Sequence, residues 1–231
     1  MTEVLDAFAA GPDHRTLDEI AAHTDLPRST VFRIIRQLVR LGWLDHDPPG
    51  YRLGPRVFGL AARQRDRSQL RAAAGPVLHT LHEHLGAVTH LGVLEGRHIR
   101  YLDKVGGPRA GVPSAVGQRT AATRTVLGWA VLAAMPPEHV DALFAVPAPD
   151  SDLLDVNRLH ARLHRTRAAH GVAVSAPERC PMGIAGAAAP IIGADGGISG
   201  AISAAGRGLH PRRLAPLVAD AARRIGERLT A

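Results

Sequence analysis

Apolar positions in the first fifty residues fall into two short helical registers with a break between them. Leu17, Ile20 and Ala21 supply the buried face of one helix. Val31, Ile34, Ile35, Leu38 and Leu41 follow the i, i+3, i+4, i+7 spacing of a second, predicted from Pro27 to Leu41. Thr16 and Glu19 have capping-box spacing at the start of the first helix. His23 to Leu26 reads as the turn, and Pro27 suits a first helical position because its missing N–H is not needed there. Gly42 stops the second helix. Before this pair, Glu3 to Ala10 is expected as a short helix with Val4, Leu5 and Phe8 on one side, ended by Gly11-Pro12-Asp13. After it, Trp43 to Asp47, the turn Pro48-Pro49-Gly50 and Tyr51 to Leu53 read as a β-hairpin. Three helices and a hairpin make a winged helix-turn-helix.

The pattern then changes. Residues 55–67 predict a helix with Val57, Leu60 and Ala61 spaced for one buried side. Ser68 to Leu85 predicts another, with Leu70, Ala74, Val77, Leu78, Leu81 and Leu85 on one face and Gly86 closing it. Val88 to Leu94 and His98 to Val105 read as a hairpin, and Gly111 to Gly117 as strand or loop. Thr123 to Met135 is predicted helical, followed by a Pro-rich segment through Asp150 and a helix from Asp152 to His170. Gly183 to Ile192 and Ile198 to Ala204 form a further hairpin, and Pro211 to Leu229 a final helix. Helices alternating with antiparallel hairpins imply an α+β fold. The expected organisation is a head at residues 1–54, a linker helix at 55–67 and an effector-binding, oligomerising domain at 68–231.

Charge sharpens the reading of the second predicted helix. Arg28, Phe32, Arg33, Arg36 and Arg40 fall opposite its apolar stripe, and no Asp or Glu occurs between Asp25 and Asp45. Arginine is shaped for bidentate contact with guanine, and an exposed phenylalanine can meet a thymine methyl. Ser29 and Thr30 lie in the first turn, where hydroxyls and free N–H groups can meet a phosphate. The wing adds Arg52 and Arg56. A protein-binding helix-turn-helix would instead carry mixed charge there. The overall balance of +7 says less, because Lys104 is the only lysine and such arginine usage reflects GC-rich coding.

Other chemistry is thinly represented. One cysteine, Cys180, excludes an internal disulfide and a Cys-based zinc finger, and no motif around it supports catalysis. His79, His82, His84 and His90 cluster, but no HExxH or carboxylate set accompanies them. Gly193 to Gly197 lacks a phosphate-cradling pattern and reads as a turn. No catalytic residues, metal or cofactor are expected. The N-terminus has no signal-peptide core, and no apolar run reaches the roughly 20 residues of a membrane helix, so a cytoplasmic protein with no membrane partner is expected.

The order Leu17-x-Glu19-Ile20-Ala21, Leu26-Pro27-Arg28-Ser29-Thr30-Val31-x-Arg33-Ile34-Ile35, Leu41-Gly42-Trp43-Leu44 and Tyr51-Arg52-Leu53-Gly54 resembles the N-terminal domain of the IclR family of bacterial transcription regulators. That family usually carries a few more residues before the first helix. Gly117, then Leu127-Gly128-x-Ala130-x-Leu132-Ala133, Gly171, Glu178, Gly183-Ile184-Ala185, Ala188-Ala189-Pro190-Ile191 and Gly197 to Gly206 resemble its GAF-like effector-binding domain. Trp129 stands where a basic residue is common, Ala121 where a proline is common, and Gly186 and Ala205 where some members carry polar ligand contacts. The resemblance implies a regulator of double-stranded DNA that acts as a homodimer or tetramer on a pseudo-palindromic operator and responds to a small metabolite, often an organic or aromatic acid. It implies an effector pocket near Ala122, Val126, Trp129, Gly186 and Ser203, with Ser203 as its best polar candidate. A protein-interaction module or a metabolite-processing domain with a helix-turn-helix head would be the alternatives.

Overall fold

In the computed structural model, residues 1–9, 12–107, 111–145 and 155–230 are described. The chain divides into two compact units, Met1–Asp66 and Arg67–Ala231.

The first unit holds α1 (Thr2–Asp6), α2 (Leu17–Thr24), α3 (Arg28–Arg40), β1 (Leu44–Asp47) and β2 (Gly50–Leu53). Its core is Val4, Ala7, Ile20, Val31, Ile35, Leu38 and Leu44. The predicted capping box is present: the Thr16 N–H donates to Glu19 Oε2 at 2.7 Å and the Glu19 N–H donates to Thr16 Oγ1 at 3.3 Å. That bond from the Thr16 amide holds the Glu19 carboxyl below its usual range. Gly42 ends α3 with φ +73°, a left-handed conformation glycine adopts without penalty. Residue 15 extends the wing, since Arg15 and Tyr51 exchange backbone hydrogen bonds of 2.9 and 2.8 Å.

Several boundaries differ from the sequence reading. α1 ends at Asp6 rather than Ala10, which lies outside the described residues. The turn between α2 and α3 begins at Asp25, because α2 continues through His23 and Thr24, whose hydroxyl bonds back to the Ile20 carbonyl at 3.0 Å. Pro27 sits one position before α3, and Leu41, beyond the helix end, is 43% exposed rather than buried.

One unbroken helix, α4 (Pro55–Leu85), replaces the two helices predicted on either side of Arg67. No helix stop separates those segments; what changes is which positions are buried. Leu60 and Ala61, expected on a buried side, are exposed in this chain, whereas Leu70, Ala74, Val77, Leu78 and Leu81 are buried.

The second unit is built on a six-stranded antiparallel sheet. Its strands are β3 (Val88–Glu95), β4 (His98–Val105), β5 (Arg119–Ala121), β6 (Ala173–Ser175), β7 (Ile184–Ile192) and β8 (Ile198–Arg207), in the order β5-β4-β3-β8-β7-β6. The two edge strands are three residues long and carry no alternation from which to predict them. On one face the second half of α4 and α8 (Pro211–Leu229) pack against Leu91, Ala187, Ala189, Ile191, Ile202 and Ala204. The other face is covered by α5 (Val126–Ala134), α6 (Pro137–Phe144) and α7 (Val156–Ala168), over Ile99, Ala188 and Ala201.

α5 starts later than predicted: a 3-10 turn at Ala122–Arg124 precedes it, and Thr125 caps it by accepting the Gly128 N–H at 2.9 Å. α6 was hidden in the Pro-rich segment, with Pro137 in its first turn. Asp155 caps α7, which begins at Val156; the predicted start at Asp152 lies outside the described residues. Glu95, on the β3–β4 hairpin, accepts bonds from Arg67 at 2.5 Å and Arg100 at 2.9 Å and ties α4 to the sheet.

Gly128 fixes how closely α5 approaches its preceding turn. A Cβ there would lie 2.0 Å from the Ala122 carbonyl oxygen, whereas at Gly186 it would meet nothing nearer than 3.5 Å. Gly128→Ala is therefore expected to lower unfolding free energy by about 1–3 kcal/mol or more, and Gly186→Ala to leave it nearly unchanged. Urea unfolding of the two variants checks this, and equal midpoints would refute it.

Candidate functional site

The first candidate surface is the solvent side of α3. Arg33, Arg36 and Arg40 are exposed, and among the described residues no carboxylate pairs with them. Phe32 is 44% exposed, with the Arg36 guanidinium 5.9 Å from its ring centroid. Phe32, Arg33, Arg36, Gln37 and Arg40 line a shallow groove. Ser29 is exposed in the first turn of α3, while the neighbouring Thr30 N–H is engaged by the Pro27 carbonyl at 2.8 Å.

Space alters two of the predicted positions. Arg28 Nε donates to Asp18 Oδ1 at 2.5 Å, so the stretch without acids in sequence is not without acids in three dimensions. Arg52 stands opposite Asp45 in the wing and has Asp45 at 3.9 Å and Asp47 at 3.7 Å. These exposed pairs each contribute about 0–1 kcal/mol, which a phosphate can readily replace. Arg56 lies over the Trp43 ring at 5.2 Å and donates to the Leu41 carbonyl, a packing role.

The second candidate lies on the α5 face of the sheet. The registers put Lys104 of β4, His90 of β3 and Ser203 of β8 side by side, with Ala188 of β7 next in line. Residues directly opposite in antiparallel strands share a face. His90 and Ser203 are 3% and 2% exposed. His90 Nε2 lies 2.7 Å from Ser114 Oγ, and Nδ1 lies 3.4 Å from Ser203 Oγ. The Tyr101 ring meets the imidazole edge-on at 5.3 Å. Burial, and then the charge of Lys104, push the His90 pKa down to about 4, so the ring is neutral at pH 7. Burial also raises the Tyr101 hydroxyl.

Of the residues expected near an effector, Val126, Gly186 and Ser203 come together on this face. The Val126 Cγ2 methyl lies 3.7 Å from where a Gly186 Cβ would stand. Ala122 and Trp129 belong to the core cluster against which Val126 packs. Ala122 is fully buried, and the Trp129 indole N–H donates to the Thr123 carbonyl at 2.8 Å while Arg162 covers its ring at 4.1 Å. Sequence reasoning weighed His90 only as a metal ligand and Lys104 only as composition. Among the described residues no His, Cys, Asp or Glu group could hold a metal. His82 instead pairs Nδ1 with the Ala87 carbonyl at 2.6 Å, and Cys180 is a partly buried free thiol.

Two outcomes follow from these geometries. Arg33→Ala or Arg36→Ala should each cost on the order of 1–3 kcal/mol at a cognate site if the side chain reads a base, while Arg28→Ala and Arg52→Ala cost less. Titrations on cognate and scrambled duplexes check this, and equal losses on both duplexes would limit the arginines to phosphate contact. His90 gives a pH signature. Its folded pKa lies below its unfolded value, so the unfolded chain binds more protons between about pH 4 and 6.5. The His90 contribution is complete above about pH 6.5 and is lost as pH falls towards 4, on the order of 3 kcal/mol in all. Unfolding measured across that window should slope less for His90→Asn, and parallel slopes would overturn the assignment.

Comparison with known proteins bears on both surfaces. The IclR helix-turn-helix domain model matches residues 2–48, and the model of the C-terminal region of bacterial IclR transcriptional regulators matches 63–226. The chain is 27% identical over 206 residues to the Pca regulon regulatory protein of Pseudomonas putida, covering 87% of this chain and 70% of that protein. It is 30% identical over 213 residues to the transcriptional regulator BhcR of Paracoccus denitrificans, covering 88% and 75%. Among solved structures, an IclR homologue from Microbacterium hydrocarbonoxydans complexed with 4-hydroxybenzoate superposes with a TM-score of 0.62 at 26% identity, covering 99% of this chain and 96% of that one.

Proposed function

The chain belongs to the IclR family of bacterial transcription regulators, and from that premise we propose how it reads DNA and what it answers to. It is a ligand-responsive DNA-binding regulator whose relatives are regulators rather than enzymes. α3 enters the major groove, where Arg33, Arg36 and Phe32 meet base edges, and Arg28, Ser29 and Thr30 in its first turn face the DNA beside them. Arg40 and the wing residue Arg52 meet the phosphate backbone. The observation that carries this reading is the exposed face of Arg33, Arg36 and Arg40 without carboxylate partners among the described residues. No helix of the described residues is long and apolar enough to cross a membrane.

Residues 1–54 act as the head, 55–67 as the linker and 68–231 as the effector-binding part. Operator binding requires two copies on a pseudo-palindromic site, because two-fold protein symmetry maps onto two half-sites. Phe58 and Leu60 on α4, 62% and 50% exposed, supply apolar surface for self-association. The effector is a small organic or aromatic acid, in keeping with the 4-hydroxybenzoate held by the Microbacterium relative. It binds on the α5 face near Val126, Gly186 and Ser203, with Ala122 and Trp129 backing that wall. Acid binding favours one arrangement of the paired heads over another, which is what regulation demands.

A mobility-shift assay on the DNA upstream of the gene, with and without candidate acids, tests the reading. Affinity should fall steeply with salt, since phosphate contacts release counterions. Leu60→Asp should shift the protein towards monomer in sedimentation and weaken operator binding about tenfold or more. Unchanged self-association would remove α4 from the interface.

A further inference from the structure

Lys104 is the one lysine among 28 lysines and arginines, and it stands directly opposite the buried His90. Among the described residues no carboxylate pairs with its ammonium. It donates instead to two backbone carbonyls, Ser114 at 2.7 Å and Val112 at 3.3 Å. The Ser114 hydroxyl is the group at 2.7 Å from His90 Nε2. Residues 112–118 thus bring three oxygens to one ammonium and one imidazole edge.

The rest of that segment is held lightly. Residues 115–118 are exposed, with Val116 at 54%. Its backbone joins the sheet at Tyr101, which accepts the Gly117 N–H at 2.8 Å and donates to the Gln118 carbonyl at 3.0 Å. A half-buried ammonium such as that of Lys104 interacts more strongly with a carboxylate, which carries full charge, than with carbonyl dipoles. A neutral His90 whose Nδ1 accepts from the Ser203 hydroxyl presents Nε2–H as a donor. Two residues along β7 from the position opposite Ser203, the side-chain-free Gly186 and the Val126 methyl near it form apolar surface that suits the hydrocarbon part of a small acid.

We propose that Lys104 and His90, with Ser203 fixing the imidazole, bind the carboxylate of the effector, and that residues 112–118 compete with that acid for the same donors. The proposal rests on the reading of the chain as an acid-responsive regulator and adds the residues and the local displacement. Acid binding frees Ser114 and both carbonyls, so the change at the site is release of this segment.

The full-length protein tests it with benzoate and 4-hydroxybenzoate, each beside its neutral amide. With one lysine, acylation at Lys104 is read by mass spectrometry apart from the amino terminus. The acids should slow that acylation and the amides should not. In calorimetry, Lys104→Met should weaken acid binding about tenfold or more, as expected for loss of a charge-assisted hydrogen bond. Ser114→Ala should tighten it about threefold by removing the hydroxyl that competes for His90 Nε2, the two carbonyls at Lys104 remaining, and it keeps the test open if Lys104→Met misfolds. Acids that bind Lys104→Met as tightly as the parent, or weaker binding to Ser114→Ala, would overturn this proposal and leave the regulator reading intact. If neither acid binds and no acid alters the operator complex, both readings fall.

Discussion

The second unit depends on a sheet buried on both faces. β3 buries Val88 through Val93 without interruption, and β7 and β8 do the same over Ile184–Ala189 and Gly200–Gly206. In such a sheet successive side chains enter different layers, and a polar one has no water to turn to. Small residues dominate β7 and β8, among them Ala185, Ala187, Ala188, Ala189, Ala201, Ala204 and Ala205, and let the helices sit close. The polar exceptions each have a partner. Thr89 donates to the Leu78 carbonyl at 3.0 Å on the α4 side, and His90 and Ser203 face each other on the α5 side.

That constraint gives the interior cluster its chemistry. A histidine this deep is held neutral, so it serves as a directional hydrogen-bonding group and not as a charge. The charge beside it comes from Lys104, which is only partly buried and donates to two backbone carbonyls. The surface of the first unit follows the opposite logic. Its arginines stay in water, and their pairs with Asp18, Asp45 and Asp47 are weak enough to exchange.

Local signals made the head legible. Thr16 and Glu19 cap α2, Gly42 stops α3, and the buried stripe of Val31, Ile35 and Leu38 leaves the arginines facing out, all from residues within four positions of one another. Signals failed where no local rule applies. α4 continues through Arg67 because nothing there breaks it, even though the two compact units divide at Asp66 and Arg67 within that helix. α6 was obscured by prolines that begin a helix as well as they end one. The Arg28–Asp18 pair joins two helices through residues ten positions apart in sequence.

The interior site shows where sequence stops. The β3–β4 hairpin opens with Glu95 opposite His98 and Gly92 opposite Tyr101, a register that would set His90 against Asp103. An extra residue at Leu102 shifts the pairing between Leu91 and Gly92, so that His90 faces Lys104. One bulge exchanges an acid for a base beside the buried imidazole. Caps, stops and apolar periodicity, which act over a turn or two of chain, were determined by the sequence alone and with them the helix-turn-helix and its arginine face. The company kept by His90, Lys104, Ser114 and Ser203 was decided by tertiary structure, because strand register and loop closure join residues up to 113 positions apart.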